Sequence, residues 1–200
     1  MGRSSNSRNR FFTHKNGILF TEEVESSMVR DPSLIIYNAM RDLDDYIVVS
    51  NGKHTDTICR GIEDRKSFYT SLHSEKHEPD PPNYTPRISG IIHRKEEAVT
   101  LSIISKSDFS FEQSEHRFYR YTRIVPGYGH CLTTYMGDGN PLQSYLGSPI
   151  TLPLLGNEEQ IANYYWQGLN KENRISLAVR ELTQTGEDRL KIINRKQKKF

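Results

Sequence analysis

The feature that most constrains the fold is an apolar stretch, Tyr46-Ile47-Val48-Val49, followed directly by a polar run over residues 50–57. Consecutive apolar residues rich in β-branched types predict a buried strand, and the polar run predicts a turn that opens a helix. Backbone N–H groups and side chains at such a turn converge on a small anionic ligand. The segment therefore indicates a site that suits a nucleotide, although it names no reaction by itself.

A chain of 200 residues can form one large domain or two small ones. We expect a single domain over residues 1–190, followed by a basic C-terminal tail over residues 191–200. Cys59 and Cys131 provide no disulfide framework and fit a reducing compartment. No apolar run approaches the roughly 20 residues that span a bilayer, and the polar N-terminus lacks the apolar core of a secretory signal. We expect a cytoplasmic protein without a membrane partner.

Strand signals outnumber helix signals along the chain. Asn16-Gly17, between two short apolar runs, predicts a β-hairpin. Further strands are predicted at residues 34–40, 46–50, 88–93, 99–105, 117–125 and 174–181. Because these strands do not alternate strictly with helices, the pattern predicts an α+β fold with a largely antiparallel sheet.

Two helices are predicted. The first carries the periodic apolar residues that follow residue 57, and Thr55 or Asp56 can cap it, so its N-terminus points back at the turn over residues 50–57. The second covers residues 158–169. Its apolar face consists of Ile161, Tyr164, Tyr165 and Leu169.

Residues 78–87 contain four prolines, too many for a helix or a central strand. We expect an ordered loop that leads into the strand at residues 88–93. Loops of fixed shape often carry functional groups. The loop contains two carboxylates, Glu78 and Asp80, although most acidic residues in loops are simply exposed to solvent.

Four blocks of residues resemble, in this order, the archaeal-type IMP cyclohydrolase family, and the chain is identified as a bacterial member. They are Ile36-Tyr37-Asn38, the strand that leads into residues 50–58, residues 85–88 (Thr, Pro, Arg and Ile) and Thr134-Tyr135. The resemblance covers roughly residues 2–182. It implies a four-layer αββα sandwich like that of the N-terminal-nucleophile hydrolases, without their autocatalytic nucleophile, and it implies a homo-oligomer.

The resemblance also implies a reaction, the closure of 5-formamidoimidazole-4-carboxamide ribonucleotide (FAICAR) to inosine monophosphate (IMP), which ends purine nucleotide synthesis. A carboxamide nitrogen attacks a formyl carbon of the same molecule, and the carbinolamine then loses water. No electron or phosphoryl group moves, so we expect no cofactor. The absence of Gly-rich dinucleotide and Walker A patterns is consistent with this expectation.

Three residues are candidates for the chemistry. Tyr37 is the candidate proton donor or oxyanion partner. A core tyrosine with a satisfied hydroxyl is the other interpretation, and the resemblance favours the catalytic one. Glu78 is the candidate carboxylate that relays the proton, with Asp80 as its rival. Arg10 is a candidate cation for the oxyanion or the phosphate.

Substrate binding is assigned to seven residues: Asn51, His54, Asp56, Asn83, Arg87, His130 and Thr134. Arg87 suits phosphate because its planar guanidinium binds two oxygens at once. The Asn51-Gly52 turn can adopt positive φ and expose N–H groups, whereas Asp56 can also serve as a helix cap. A structural role for His130 is as well supported as a contact with the base. Arg3 and Arg8 fit either the site or a disordered basic start.

Other interpretations remain open. His73 and His77 lie four apart around Glu75, but no third ligand is placed, so we expect no metal site. A purine-nucleotide binding protein without catalysis, or an enzyme acting on a related imidazole ribonucleotide, would share the same pocket. A nucleic-acid-binding module is a lesser alternative. It would use the five cations within residues 191–200 and the aromatic residues 118–121, but the net charge of +2 makes nucleic acid an unlikely partner.

Overall fold

The computed structural model describes residues 2, 4–29, 31–32, 35–183 and 186–197. The chain packs into two compact units. Unit 1 comprises Met1–Tyr37 and Pro153–Phe200, and unit 2 comprises Asn38–Leu152. Two such units can belong to one domain, so the single domain expected over residues 1–190 stays a prediction.

Eleven strands and three α-helices are present in the described residues. In chain order they are β1 (Arg10–Lys15), β2 (Ile18–Glu23), β3 (Asn38–Leu43), β4 (Tyr46–Ser50), α1 (His54–Glu63), α2 (Phe68–Leu72), β5 (Arg87–His93), β6 (Ala98–Lys106), β7 (Ser114–Tyr121), β8 (Tyr128–Cys131), β9 (Ile150–Pro153), α3 (Glu158–Gly168), β10 (Ser176–Glu181) and β11 (Arg189–Asn194).

Unit 1 contains two antiparallel hairpins and a helix. In the first hairpin, β1 pairs with β2 around Asn16 and Gly17, whose φ angles of 51° and 75° fit a tight two-residue turn. The predicted hairpin is therefore confirmed. The second hairpin pairs β10 with β11. Asn194 joins the two hairpins, since its side chain exchanges hydrogen bonds with the backbone N–H and C=O of Phe12.

Helix α3 begins at a reciprocal capping box. The side chain of Asn157 accepts from the backbone N–H of Gln160, whose own side chain accepts from the N–H of Asn157. The helix, Glu158–Gly168, confirms the prediction for residues 158–169 within one residue. Three residues of the predicted apolar face, Ile161, Tyr165 and Leu169, are partly buried. Ala162 is fully buried beside them, whereas Tyr164 is 64% exposed and does not belong to the packed face.

Unit 2 is built on strands β3 to β7, which lie side by side in sequence order, each antiparallel to the next. The first two helices, α1 and α2, cover this sheet. The core between helices and sheet consists of Val48, Ile58, Cys59, Phe68, Leu72, Ile91 and Ile104. The predicted α+β class with largely antiparallel sheets is confirmed, while the four-layer sandwich and its resemblance to N-terminal-nucleophile hydrolases stay predictions.

The first helix of unit 2 differs from its prediction in two ways. Its N-cap is Lys53, with no side-chain hydrogen bond, so neither Thr55 nor Asp56 caps it. Both residues lie inside the first helical turn. The apolar residues assigned to this one helix also fall in two helices. Arg65, which follows α1, adopts a left-handed φ of 62°, and Ser67 caps α2.

Strand β3 begins at Asn38 and not at residue 34 as predicted. The N–H groups of Ile35 and Ile36 both donate to the carbonyl of Pro32, so these two residues are not part of the strand. Residues 33 and 34 lie outside the described residues. Tyr37 therefore directly precedes a strand.

One strand in each unit also differs from the sequence pattern. Strand β7 covers Ser114–Tyr121, so residues 122–125 are not part of it. Strand β11, Arg189–Asn194, was not predicted, since four of its six residues lie in the segment expected to be a basic tail. The predicted tail boundary at residue 190 thus falls inside a paired strand, and residues 198–200 lie outside the described part. No described helix is long and apolar enough to span a membrane.

Candidate functional site

The pairing of β4 with β5 creates the candidate site. These strands are antiparallel, with Ser50 opposite Ser89, so the end of β4 lies beside the start of β5. The polar turn after β4 is thereby brought against Arg87, the first residue of β5. We name the resulting group, Gly52, His54, Glu75, Glu78 and Arg87, the Arg87 cluster.

Arg87 is the centre of this cluster and is only 5% exposed. Its Nη1 lies 2.7 Å from Oε1 of Glu78, and its Nε donates to the carbonyl of Lys76 at 2.6 Å. A second carboxylate, Glu75, lies 3.6 Å from Nε. The guanidinium is therefore a buried charge that is both paired and hydrogen-bonded, as a buried charge must be.

His54 is fully buried beneath Arg87. Its Nε2 lies 3.2 Å from the carbonyl oxygen of Ile88, and its Nδ1 lies 3.4 Å from Nη1 of Arg87. Burial and the adjacent guanidinium lower the pKa of His54 to about 3. The imidazole is thus neutral near pH 7, and the tautomer that donates from Nε2 to Ile88 leaves Nδ1 to accept from Arg87.

Glu78 belongs to the proline-rich loop, which contains neither helix nor strand, as predicted. Its side chain is 17% exposed. Burial raises the pKa of Glu78 above its ordinary value, and the opposing effect of the Arg87 guanidinium is smaller. A carboxyl group with a raised pKa keeps its proton to higher pH than an exposed one, which suits a group that gives and takes a proton during catalysis.

Gly52 allows the close approach of these groups. A Cβ at this position would lie 3.2 Å from Nη1 of Arg87, 3.3 Å from Nδ1 of His54 and 3.4 Å from Oε1 of Glu78. Gly52 does not have positive φ, and neither does Asn51, so that expectation was wrong. The N–H of Gly52 donates to the Ser50 hydroxyl, which shows that the turn is closed by its own side chains.

Asn51 ties the end of β4 to the start of β5. Its side chain accepts from the N–H of Ile88 at 2.9 Å and donates to the carbonyl of Pro86 at 2.9 Å. The same amide nitrogen lies 3.4 Å from Oγ1 of Thr134. Two predicted binding residues, Asn51 and Thr134, are therefore brought together, although the contacts of Asn51 within the protein are mainly structural.

The rival carboxylate, Asp80, is held by one neighbour. One oxygen accepts from the N–H of Thr85 at 2.7 Å and the other from its hydroxyl at 2.5 Å. The Thr85 hydroxyl also lies 2.6 Å from the hydroxyl of Tyr135. Asn83 braces the same loop by accepting from the N–H of Leu142. These contacts give Asp80 and Asn83 loop-shaping positions, whereas Glu78 faces Arg87.

Asp56 forms a separate polar group with two residues of β3. It accepts from Nδ2 of Asn38 at 2.9 Å and lies 3.3 Å from Nη1 of Arg41. The sequence assignment omitted Asn38 and Arg41. Asn38 stands in one of the resemblance blocks, which was the available signal, while the position of Arg41 follows only from the packing of α1 on β3.

Unit 1 carries the other two catalytic candidates. The guanidinium carbon of Arg10 lies 5.8 Å from the centre of the Tyr37 ring, a cation–π distance. The backbone of Tyr37 is fixed by Thr21, which donates to its carbonyl and accepts from its N–H. The structure thus brings Arg10 and Tyr37 together.

The basic start of the chain is ordered at Arg8. Its Nε donates to the carbonyl of Gly2 and its Nη2 to Oδ1 of Asn173. Arg8 therefore does not belong to a disordered segment, which was one of the two interpretations. Arg3 lies outside the described residues.

The remaining predicted groups lie elsewhere. His130 stacks on Tyr121 with a ring separation of 3.5 Å. His77 pairs with the hydroxyl of Ser114, and the part of the chain that the structure describes contains no cluster of three or more metal-ligating side chains. In the aromatic stretch over residues 118–121, Phe118 packs against Phe68 and Tyr69, so its ring is not displayed for stacking on bases.

Comparison with known proteins gives two findings. Residues 1–187 match the family described as IMP cyclohydrolase-like protein. Over 125 residues, the chain is 30% identical to an IMP cyclohydrolase of Methanosphaera stadtmanae. The alignment covers 60% of this chain and 55% of the relative, so the chain spans about half the length of that protein.

Proposed function

Because the chain belongs to the IMP cyclohydrolase-like family, we propose that it closes FAICAR to IMP with loss of water. The family identified from four blocks of sequence is confirmed by the match over residues 1–187. The Arg87 cluster supplies the structural support for the proposed reaction.

The reaction sets clear requirements. The carboxamide nitrogen forms a bond to the formyl carbon and loses a proton, while the formyl oxygen gains one to give a carbinolamine. The carbinolamine then loses its hydroxyl group and the proton of the former formamido nitrogen, which together make up the released water. An enzyme must therefore hold the two groups in attack geometry, stabilise the developing oxyanion and move protons.

The observation that carries the proposal is the pairing of Glu78 with Arg87. Oε1 of Glu78 is held by Nη1 of Arg87, while Oε2 of Glu78 and Nη2 of Arg87 have no hydrogen-bond partner among the described residues. One carboxyl oxygen is thus fixed and the other is left for proton transfer. We assign Glu78 the role of accepting the carboxamide proton and returning it to the departing hydroxyl group.

The other candidates take supporting roles in this proposal. Nη2 of Arg87 offers a donor for an oxyanion or phosphate oxygen of the substrate. The neutral His54 accepts from Nη1 of the Arg87 guanidinium. Asn51 fixes the backbone on both sides of Arg87 through its hydrogen bonds with Pro86 and Ile88. In unit 1, Tyr37 is the proposed proton donor or oxyanion partner, with Arg10 as the accompanying cation.

Contact with the substrate is further proposed for Asp56, Asn83, Thr134 and His130. Asp56 can accept from a ribose hydroxyl or an amide of the substrate while it holds Asn38. Thr134 keeps a hydroxyl beside Asn51. The stacked His130 offers a ring edge for the base.

The direct test is turnover. Purified chain is mixed with FAICAR, and IMP is measured by its absorbance and by chromatography. We expect turnover without added nucleotide cofactor, and we expect Tyr37→Phe to reduce kcat while Tyr164→Phe, at an exposed tyrosine of α3, does not. Folded protein that gives no IMP above the uncatalysed rate would contradict the proposal.

A thermal-shift panel separates catalysis from binding alone. Ligands that bind the native state selectively raise the unfolding temperature. We expect IMP and aminoimidazole-carboxamide ribonucleotide to raise it, and ATP and a short DNA to have no comparable effect. Stabilisation by IMP without any turnover would instead support a nucleotide-binding protein.

A further inference from the structure

Unit 1 contains a small basic cavity that the proposed reaction does not use. Its volume is about 200 Å³, and it is lined by Arg8, Glu172, Arg174, Ile175, Arg195 and Lys196. Four of these six residues are cations and one is a carboxylate. The lining therefore carries an excess of three positive charges in a confined space.

Two of the arginines are fixed by neutral groups. Arg8 donates to the carbonyl of Gly2 and to Oδ1 of Asn173. Arg174 donates to the carbonyl of Trp166 at 2.8 Å, and its guanidinium carbon lies 4.6 Å from the centre of that ring. Among the described residues, no carboxylate lies within ion-pair distance of Arg8 or Arg174. Their positive charges are therefore held in position without being neutralised.

The other two cations follow the end of β11. The N–H of Arg195 donates to the carbonyl of Ile175, which extends the β10–β11 pairing by one step and fixes the backbone there. Nη1 of Arg195 donates to the carbonyl of Glu172, while the carboxylate of Glu172 is 81% exposed and 3.9 Å from Nη2. A pair so exposed is weak, so most of the charge of Arg195 remains available to a ligand.

The floor of the cavity is tightly packed. The N–H of Gly2 donates to the carbonyl of Asn173, and a Cβ at Gly2 would lie 2.4 Å from Cδ1 of Ile175. The chain start is thereby seated directly against the segment that carries Arg174. This packing holds Arg8 beside residues that are far away in sequence.

We propose that this cavity is a binding site for a diphosphate-type anion. Guanidinium groups match phosphate oxygens in geometry as well as charge. One phosphate monoester carries about −1.5 to −2 charges, so an excess of three charges matches two phosphate groups better than one. Pockets that hold a whole drug-sized ligand measure about 300–1,000 Å³, so this cavity takes the phosphates and leaves any attached nucleoside outside.

The test is calorimetric titration of the full chain with inorganic pyrophosphate at physiological salt. We expect saturable binding that weakens about tenfold in Lys196→Gln and Arg195→Gln, since each removes a charge-assisted contact. Lys191→Gln is the matched control. It removes one charge from the same hairpin, where Lys191 pairs with Glu159 outside the cavity, and should leave binding unchanged.

Glu172→Gln tests the sign of the effect. It removes the one carboxylate of the lining, so pyrophosphate should bind more tightly, whereas a residue with a purely structural role would give no gain. ADP that binds as tightly as pyrophosphate would identify a nucleotide as the source of the phosphates, and pyrophosphate that binds better would identify the free anion. Both results support the site.

Several results would overturn the proposal. These are no heat of binding with folded protein, equal loss of binding in Lys191→Gln and Lys196→Gln, or a short RNA that binds and is not displaced by pyrophosphate. The titration needs no FAICAR and no turnover. Glu78→Gln should bind pyrophosphate like the unmodified chain, so failure of the proposed reaction and failure of this site are distinguishable.

Discussion

Nη1 of Arg87 lies 2.7 Å from Oε1 of Glu78, and yet burial raises the pKa of Glu78 above its ordinary value. A guanidinium at this distance normally favours the ionised carboxylate. Here removal from water has the larger effect, because the glutamate side chain is only 17% exposed. The pair thus combines a fixed geometry with a carboxyl group whose pKa is raised by burial.

Glu78→Gln should lower kcat by about 10²–10⁴-fold, the range expected for loss of a positioned acid or base. Glutamine keeps an oxygen that can accept from Arg87, so the fold should persist. The measurement is turnover of FAICAR together with the unfolding temperature. Glu112→Gln, at an exposed residue, is the control. A Glu78→Gln enzyme as fast as the control would remove Glu78 from the mechanism.

His54 should make stability depend on pH in the acidic range. Its pKa is about 3 in the folded protein and 6.5 without burial, so between these values the unfolded chain binds a proton that the folded chain does not. Stability then rises with pH across this window, by at most about 1.4 kcal/mol per pH unit from this group, and is lost as the pH falls from 6.5 towards 3.

The check for His54 is the free energy of unfolding in urea as a function of pH. His54→Gln should flatten the slope between pH 3 and 6.5. His14→Gln, at an exposed histidine, should leave the slope as it is. An unchanged slope in His54→Gln would show that the imidazole is not the buried neutral base described above.

Gly52→Ala should press a methyl group onto the Arg87 cluster, since its Cβ would lie 3.2–3.4 Å from three polar atoms. We expect a loss of about 1–3 kcal/mol in the free energy of unfolding, as for other overpacked sites, and a lower kcat. Gly137→Ala is the matched control, because its Cβ would have no atom within 4 Å. Equal behaviour of the two variants would contradict the close approach.

Asn51→Ala should destabilise the protein by about 1–3 kcal/mol. The substitution leaves the N–H of Ile88 and the carbonyl of Pro86 without their partner, and unsatisfied buried polar groups carry a cost of this size. Asn163→Ala, on the exposed side of α3, should change stability by less than about 0.5 kcal/mol. Wild-type stability with weaker IMP binding would instead show that Asn51 serves mainly the ligand.

Much of the local structure was predictable because it depends on neighbours in sequence. The hairpin at Asn16-Gly17, the strand at Tyr46–Ser50 and helix α3 follow from turn residues and apolar periods. The boundary errors have equally local causes. The left-handed Arg65 separates two helices where one was predicted. Ile35 and Ile36 donate to the carbonyl of Pro32, so β3 begins later than predicted, at Asn38.

Strand β11 was missed for a different reason. Most of it lies within the cation-rich residues 191–200, which are typical of a solvated tail, and its pairing with β10 is a contact that its own composition does not specify. The basic cavity went unrecognised in the same way. Arg8 and Arg174 are far apart in sequence. The hydrogen bond from Arg8 to Asn173 brings them together in the lining of the cavity.

The sequence by itself determined the family, the α+β class and most residue types of the candidate site, because blocks of sequence and apolar periods are local properties. Only the tertiary structure decided how those residues are paired and buried. The antiparallel register of β4 and β5 places Gly52 and His54 against Arg87, and burial then neutralises His54 and raises the pKa of Glu78. Burial and register depend on contacts between distant segments, and no pattern along the chain encodes them residue by residue.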